Sequence, residues 1–268
     1  MDILLEIQRK YNDFSDKEKS IANYIMQYGD QIKNINITDL AKETNTSGAT
    51  ITRFCKKIDC DSFVDMKIKL GANKSDTQVT EEEGIFSYVY QYYNEVIERT
   101  KSLIDKESIF KIVSEIKKAR NIYIYGVGSS GLTGEEMMKR LMRMGFSVHC
   151  ISDSHMMIIN SSIVSEKDLV IGISISGETE EVNQALKISK KNGAKTVSIT
   201  SFEGSAINDY ADIMLIVYNP KFVDRSRFVN SQFSAMYLID LISIVLLEDK
   251  DLSNKMQTTI NAIINNQG

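Results

Sequence analysis

The sequence has little of what metal centres and disulfide scaffolds are made from. It contains three cysteines, two histidines and one proline in 268 residues. The cysteines have no disulfide spacing, and Cys55 and Cys60 lack the second pair of ligands that a zinc site requires. We therefore expect reduced thiols, as in a cytosolic protein, with neither a metal ion nor another cofactor.

Long apolar runs and a strong charge of one sign are also missing. No segment approaches the roughly 18 apolar residues of a membrane span, and Met1–Leu5 does not begin a signal peptide. Both observations favour a cytoplasmic protein with no membrane partner. The formal net charge of −4 argues against nucleic-acid binding by the whole surface. Residues 1–75 differ, because their 12 basic side chains outnumber 11 acidic ones.

The chain contains one polar stretch that is typical of a linker. Residues 70–84 include Gly71 and Gly84 and lack apolar periodicity. Everything before this stretch has helical patterning, and two helical stretches, 85–103 and 106–118, follow it. The sequence therefore predicts a first domain at 1–77, a linker at 78–84 and a second domain at 85–268.

Strand and helix patterns alternate in the second domain. Five short runs rich in β-branched residues are separated by helical stretches, which predicts an α/β domain with a five-stranded parallel sheet flanked by helices. The expected strands are Asn121–Tyr125, Ser147–Ile151, Asp168–Ser174, Thr196–Thr200 and Ile213–Tyr218. The expected helices are Gly131–Met144, Ser154–Ile163, Thr179–Asn192, Ser205–Tyr210 and a long C-terminal helix, Ser226–Leu247.

The first domain is all-α and contains the pattern of a helix-turn-helix. Ile37–Thr44 predicts a short helix with Thr38 as its cap. Asn45–Ser47 predicts a tight turn, with Thr46 or Ser47 as the cap of the helix that follows. A short helix, a tight turn and a longer helix in this order are typical of DNA-binding domains.

Gly48–Ile58 is the candidate recognition helix. At about 100° per residue, its core face is apolar and its opposite face carries three cations and no acid. Such a helix can enter the major groove, where Arg contacts guanine edges and Thr and Lys reach bases or phosphates. The alternative is a helical oligomerisation or docking domain with a solvated cationic face. The core face consists of Ile51, Phe54, Cys55 and Ile58; the candidate DNA contacts are Ser47, Ala49, Thr50, Thr52, Arg53, Lys56 and Lys57, with Lys67 and Lys69 of the next helix as further candidates.

A hydroxyl-rich turn follows the third predicted strand. Ser174-Ile-Ser-Gly-Glu-Thr179 places three hydroxyls and a glycine between a strand and a helix. This arrangement directs backbone N–H groups and the positive end of a helix dipole at one spot, which suits a phosphate. The turn has no lysine, so it is not a nucleotide-binding P-loop. For the hexapeptide alone, an ordinary capped helix start is the alternative.

A second glycine-rich loop follows the first predicted strand. Gly126-Val-Gly-Ser-Ser-Gly131 satisfies Gly-x-Gly-x-x-Gly, and Asp153 lies near the position of the ribose-binding acid of a dinucleotide site. NAD is therefore one candidate ligand. Two hydroxyl-rich loops at strand ends favour a small phosphorylated polyol instead, because a pyrophosphate held by backbone groups needs neither the serines nor the second loop.

These motifs together resemble one family of bacterial transcription regulators, the RpiR/MurR type. Residues 121–220 are similar to a sugar isomerase (SIS) domain through Tyr-Gly-Val-Gly-Ser-Ser-Gly and Ile-Ser-Ile-Ser-Gly-Glu-Thr-Glu-Glu-Val. Residues 1–77 resemble the helix-turn-helix domain of that family. The domain order matches too, so the resemblance covers nearly the whole chain. Its further motifs are Ile37–Ala41, Ser47–Lys57, Ser62–Lys67 and Asp153–His155.

The resemblance implies a regulator of sugar or amino-sugar metabolism. Its partners would be double-stranded operator DNA and a phosphorylated sugar effector bound in a Rossmann-like SIS domain. Two positions depart from the family pattern, which often has a glycine near Asp59 and a Ser-Arg pair where Ser231-Gln232 stands. Carried over by position, the effector contacts are Gly128, Ser129, Ser130, Ser174, Ser176, Gly177 and Thr179.

A sugar-phosphate isomerase is the alternative function. Isomerisation needs an acid/base group beside the reacting carbons, and the candidates are His155 and Glu178. His155 can equally cap or pack the next helix, and Glu178 suits a helix N-terminus, so nothing requires catalysis. Because paired recognition helices match two half-sites, we expect a homodimer or homotetramer that associates through the C-terminal helix and the helices of residues 85–118.

Overall fold

The computed structural model describes residues 2–32, 34–71, 81–219 and 232–265. The chain divides into two units, which we call the helical unit and the sheet unit. Residues 78–80 of the expected linker and Ser226–Ser231 of the expected C-terminal helix lie outside the described residues. The helical unit consists of residues 1–99, 202–204 and 218–231; the sheet unit consists of residues 100–201, 205–217 and 232–268.

Five α-helices and most of a sixth make up the larger part of the described helical unit. Glu81–Gly84, which we expected in the linker, lie in the sixth of them, because glutamate favours helix and one glycine does not outweigh it. The helices are α1 (Ile3–Arg9), α2 (Asp16–Ile32), α3 (Ile37–Glu43), α4 (Gly48–Lys57), α5 (Phe63–Gly71) and α6 (Glu81–Leu103), with a short 3₁₀ helix at Tyr11–Asp13.

One apolar core holds α1 to α5 together. Ile21 and Ile25 of α2, Phe54 of α4 and Met66 of α5 are fully buried in it. Ile21 and Ile25 are four residues apart, which is about one helical turn, so both lie on one apolar face of α2. Burial of each such side chain contributes about 1.5–3 kcal/mol to the free energy of unfolding, which fixes α4 in one orientation.

The sheet unit contains a five-stranded parallel sheet, as expected. The strand order is β2-β1-β3-β4-β5, and every neighbouring pair is parallel. All six residues of the central strand β3 are buried, which explains its continuous apolar run. The strands are β1 (Asn121–Tyr125), β2 (Val148–Ile151), β3 (Asp168–Ile173), β4 (Lys195–Thr200) and β5 (Ile213–Ile216).

Helices pack on both faces of the sheet. One core lies between the sheet and four helices, and a second lies on the opposite face. The first face carries α7 (Lys106–Lys118), α8 (Ser129–Arg143), α11 (Phe233–Leu247) and α12 (Lys250–Asn265); the second carries α9 (Ser154–Ser161), α10 (Glu180–Lys191) and the 3₁₀ helix Ala206–Tyr210.

The chain reverses its direction across the sheet between β2 and β3. Strand β1 therefore has β2 on one side and β3 on the other, with Tyr125 opposite Ile151 and Gly172. The carboxyl ends of β1 and β3 lie side by side at this switch point, where open α/β sheets bind their ligands. Both glycine- and serine-rich loops start here.

The C-terminal region differs from the expectation in two ways. The described part of its first helix, α11, begins at Phe233, and a second helix, α12, follows it. Helices α7 and α11, which we expected at an oligomer surface, pack against each other within the chain. Phe110 and Ile244 still leave large apolar surfaces of these helices exposed. Among the described helices, none combines the length and the apolar character needed to cross a bilayer.

Candidate functional site

The turn between α3 and α4 has the geometry that a helix-turn-helix requires. Asn36, and not Thr38, caps α3 by accepting a hydrogen bond from the Asp39 N–H. Ser47 caps α4 through the Thr50 N–H at 3.2 Å. Asn45 adopts a φ of 51° in the turn, a left-handed conformation that asparagine tolerates. The prediction of Ser47 as a cap is confirmed, and that of Thr38 is wrong.

Helix α4 has one buried face and one exposed face. Ile51, Phe54, Cys55 and Ile58 are all fully buried, as expected. Thr50 is the exception among the candidate DNA contacts, because it is only 8% exposed and its hydroxyl lies 2.9 Å from that of Ser47. It lies one turn before Phe54, at the edge of the core face, and its contacts with Ser47 place it at the start of the helix. The exposed candidates are Ser47, Ala49, Thr52, Arg53, Lys56 and Lys57.

The cations of α4 divide into paired and unpaired groups. Lys57 forms a 2.8 Å ion pair with Glu18 of α2. Burial raises the pKa of Glu18, but hydrogen bonds from Lys57 and Ser15 more than offset this and hold the pKa below its ordinary value. In the described part of the chain no carboxylate pairs with Arg53 or Lys56. These two cations are therefore available to DNA.

The lysines of α5 are occupied within the helical unit. Lys67 donates to the Ile35 carbonyl at 2.9 Å. Lys69 forms a 2.7 Å ion pair with Asp65 and donates to the Asp59 carbonyl. Asp59 has a φ of 56°, so this position adopts the conformation that glycine favours in the resembled family. Lys67 and Lys69 thus stabilise the domain in this arrangement.

The first loop, Gly126–Gly131, is shaped by glycines that have no room for a side chain. A Cβ on Gly126 would lie 2.9 Å from the Ser130 backbone, and one on Gly131 would lie 2.6 Å from the Ser152 hydroxyl. Gly128 has a φ of 58° and precedes the first turn of α8. Ser129 is exposed and Ser130 is nearly buried. The loop therefore brings backbone amides and one exposed hydroxyl to the carboxyl end of β1.

The second loop, Ser174–Thr179, gathers its hydroxyls at the carboxyl end of β3. The Ser174 Oγ lies 2.8 Å from the Thr179 Oγ1 and 3.4 Å from the Ser176 Oγ. Gly177 has a φ of 71°, and its amide donates to the Ser174 hydroxyl at 3.1 Å. Ser176 is exposed, whereas Ser174 is buried. Ser176 and Thr179 are therefore the hydroxyls best placed for a ligand.

The helices that start at these two loops have open N-termini. Neither Gly128 before α8 nor Thr179 before α10 makes a side-chain capping hydrogen bond. Side chains close the N-termini of α1, α3, α4, α7 and α9. The unfilled first-turn amides and the positive ends of two helix dipoles therefore meet at neighbouring strands. Such an arrangement suits an anion such as phosphate.

Gln232 approaches the first loop through Thr133. The Thr133 hydroxyl lies 3.0 Å from the Ser129 carbonyl and 3.2 Å from the Gln232 Oε1. Gln232 occupies the position before α11 and is buried. The sequence indicated no partner for it, because the contact joins residues about one hundred positions apart.

Two of the three side chains weighed for NAD binding or catalysis have structural roles. Asp153 caps α9 through the Met156 N–H at 2.9 Å. The Glu178 carboxylate accepts a hydrogen bond from the Ala206 N–H at 3.2 Å. His155 is exposed on α9. Within the described residues, no group of histidine, cysteine and acidic side chains is arranged to hold a metal ion.

Family models account for both parts of the chain. The model described as the SIS domain matches residues 115–244. The model described as the helix-turn-helix domain of the rpiR family matches residues 1–77. The chain thus combines a helix-turn-helix domain of the rpiR type with a SIS domain. The predicted family and the predicted order of the two folds are confirmed.

Relatives of similar length carry the same description. A Haemophilus influenzae protein named as an HTH-type transcriptional regulator is 29% identical and covers 98% of this chain and 96% of its own. A Clostridium perfringens protein with the same kind of name is 28% identical over 99% of this chain and 100% of its own. These relatives are named as regulators and not as enzymes.

Solved structures support the same fold. The Vibrio vulnificus NanR protein complexed with ManNAc-6P is 28% identical, with a TM-score of 0.63 and 98% coverage of both chains. The sugar isomerase domain of an RpiR transcription factor from Sphaerobacter thermophilus has a TM-score of 0.59 over 67% of this chain and 97% of its own. At 17% identity the second shows the SIS fold alone.

Proposed function

We propose that this regulator binds operator DNA through α4 and that a phosphorylated sugar bound between the first and second loops controls that binding. The observation that carries the effector site is the pair of open helix N-termini at the carboxyl ends of neighbouring strands. The complex of NanR with ManNAc-6P supports a phosphosugar as the ligand class. The proposed contacts are Gly128, Ser129, Ser130, Ser174, Ser176, Gly177 and Thr179.

The proposed DNA contacts are the exposed residues of α4 and its cap. Arg53 is the proposed base contact, Lys56 the phosphate contact, and Lys57 reaches DNA only by exchanging its ion pair with Glu18. A pair of such helices fits two half-sites of an operator, so the regulator acts in the cytoplasm as a homodimer or homotetramer. The proposed domains are residues 1–77 and 85–268, joined at 78–84.

A thermal-shift screen of phosphorylated sugars, amino sugars and sugar acids tests the effector site. A ligand that binds the native state raises the melting temperature by mass action. At a ligand concentration of one hundred times the Kd, the native state is stabilised by about 2.7 kcal/mol. Ser176→Ala should reduce the shift in melting temperature. Ser162→Ala, which removes an exposed hydroxyl on a different loop, should not. If the ligand raises the melting temperature of both variants as much as that of the wild type, it binds elsewhere.

A gel-shift titration tests the DNA site. Arg53→Ala should weaken binding to a duplex selected by the wild-type protein by about 1–3 kcal/mol if Arg53 contacts a base. Lys19→Ala, a cation of α2 that lies over the Tyr11 ring, serves as the matched control and should change affinity less. Equal affinities for Arg53→Ala and the wild type would remove Arg53 from the interface.

We further propose that the regulator is not an isomerase. The hydrogen bond from the Ala206 N–H to Glu178 supports this, because it gives the carboxylate of that acid/base candidate a structural partner. Incubation of the protein with each sugar phosphate that stabilises it provides the test. Turnover above the background of the buffer would favour the enzyme instead.

A further inference from the structure

The start of α8 is packed closely against the sheet. A Cβ on Gly134 would lie 2.9 Å from the Cys150 Sγ and 3.0 Å from the Ile124 Cγ2. The Cys150 thiol also donates to the Gly131 carbonyl at 3.6 Å. The first turns of α8 therefore have no room to move towards β1 and β2, and their orientation depends on what holds them elsewhere.

A buried hydrogen bond links the start of α8 to the start of α11. The Thr133 Oγ1 lies 3.2 Å from the Gln232 Oε1, and the two residues are only 3% and 8% exposed. The backbone of Gln232 is fixed at the start of α11, because the Met236 N–H donates to its carbonyl at 2.9 Å. Both helices and Gln232 belong to the sheet unit.

The single proton of the Thr133 hydroxyl has two oxygens within reach. The Ser129 carbonyl lies 3.0 Å away, but it is also the usual acceptor of the Thr133 backbone N–H, because the two residues are four apart in α8. The Gln232 Oε1 faces the hydroxyl oxygen directly, and two oxygens in contact need a proton between them. The hydroxyl therefore donates to Gln232.

This hydrogen bond depends on the carboxamide of Gln232. The resembled family often has an arginine at this position, and a guanidinium group offers donors but no acceptor. An arginine could not accept the Thr133 proton. The link between α8 and α11 is therefore specific to a chain that has glutamine here.

The linked turn of α8 carries part of the proposed effector site. Gly128 leaves the first-turn amides of α8 without a side-chain cap, and the Ser129 hydroxyl is exposed beside them. Thr133 lies one turn further along and is too buried to reach a ligand. A bond from Thr133 to another helix fixes the direction of these donors, and binding sites need such support from residues that do not touch the ligand.

We propose that Gln232 is a positioning residue of the effector site, which accepts the Thr133 proton and so holds the open start of α8 towards a phosphate group. The inference rests on the proposed function, because it concerns the same site. It goes further in assigning roles to two residues outside the proposed contacts. It requires that Gln232 affects phosphate affinity through Thr133.

A double-mutant cycle tests this role in Thr133→Val, Gln232→Leu and the double variant. Titration followed by phosphorus NMR gives the Kd for inorganic phosphate, or for the sugar phosphate with the largest shift in the thermal-shift screen if inorganic phosphate alone does not bind. Each single change removes the same hydrogen bond, so each should raise the Kd by about fivefold or more. The double variant should stay within about twofold of either single variant.

Two further variants separate the hydrogen bond from packing and stability. Thr133→Ser keeps the hydroxyl and loses only a methyl group, so its Kd should stay within about twofold of the wild type. Thr196→Val is the matched control, because Thr196 is fully buried and donates to Asp212 at 3.1 Å. It lies near the amino end of β4, at the sheet edge opposite the loops, so its Kd should also stay within about twofold.

The outcomes separate this inference from the proposed function. An unchanged Kd in Thr133→Val or Gln232→Leu, additive losses in the double variant, or equal losses in Thr133→Val and Thr196→Val would overturn the role of Gln232, while the effector site would still stand on Ser176→Ala. Should Gln232→Leu fail to fold, the difference between Thr133→Val and Thr133→Ser decides. A wild-type protein that binds neither inorganic phosphate nor any sugar phosphate of the screen would refute the proposed function and this inference together.

Discussion

Helix α4 in the helical unit begins at a closed end, whereas α8 and α10 in the sheet unit begin at open ones. Ser47 satisfies an amide at the start of α4. Gly128 and Thr179 leave the first-turn amides of α8 and α10 without a side-chain cap. In the proposed function, the closed helix offers DNA the side chains on its flank, and the open helices offer an anion their backbone amides. The same structural element thus serves two kinds of recognition.

The largest effect should come from the core that orients α4. Phe54→Ala removes a fully buried ring and should lower the free energy of unfolding by about 3–5 kcal/mol. Urea denaturation measures this loss, and DNA binding should fall with it. Val64→Ala, an exposed apolar side chain of α5, should stay within about 0.5 kcal/mol of the wild type. Similar losses for both variants would show that α4 is not held by this core.

Closing α10 with a charged cap should separate stability from effector binding. Thr179→Asp supplies a good N-cap, so the melting temperature of the free protein should stay the same or rise. The carboxylate repels a phosphate, and the loss of effector affinity should reach about 1.5–3 kcal/mol. Isothermal titration with a sugar phosphate from the screen measures it, and Thr179→Ser is the neutral control. Undiminished binding by Thr179→Asp would show that the open end of α10 is not the anion site.

Two serine-to-alanine changes should have opposite consequences. Ser47→Ala removes the cap of α4 and should cost about 1 kcal/mol of stability. Ser176→Ala removes an exposed hydroxyl and should change stability by less than about 0.5 kcal/mol, with its loss confined to effector binding. Thermal melts of the ligand-free proteins compare them directly. If Ser47→Ala and Ser176→Ala lowered the stability equally, the proposed difference between the capped start of α4 and the open start of α10 would be wrong.

The smallest effect concerns the acid stability of α4. Lys57 and Ser15 hold the pKa of Glu18 below its ordinary value of 4.5. The stability that this carboxylate contributes is present above that ordinary value and is lost as the pH falls through its value in the folded protein. Glu18→Gln should therefore lose less stability than the wild type on acidification. Glu107→Gln, which changes an exposed carboxylate, should follow the wild-type curve.

Local patterns predicted most of the elements that build the site. The apolar runs at Asn121–Tyr125 and Asp168–Ile173 predicted strands because buried parallel strands need continuous apolar residues. The periodicity of Gly48–Ile58 predicted the core face of α4, because apolar residues at helical spacing fall on one face of a helix. The N-cap of α3 was harder to predict, since Asn36 and Thr38 are both good caps and only the path of the backbone decides between them.

Contacts between segments that are distant along the chain could not be predicted from the sequence. Thr50 lies at the edge of the helical wheel, and its burial depends on how α4 packs against the other helices. The position of Ser205 against Gly177 follows from the pairing of β3 with β4. Thr133 meets Gln232 only because α8 and α11 lie on the same face of the sheet. The site residues that were carried over by resemblance still await the binding experiments.

The most direct measurement is the affinity of the protein for its selected duplex, with and without a saturating sugar phosphate from the thermal-shift screen. Coupling between the effector site and α4 predicts a change in Kd of about 5- to 150-fold for the wild type and none for Thr179→Asp. A wild-type Kd that does not move at saturation, or a Thr179→Asp variant that responds equally, would contradict the account.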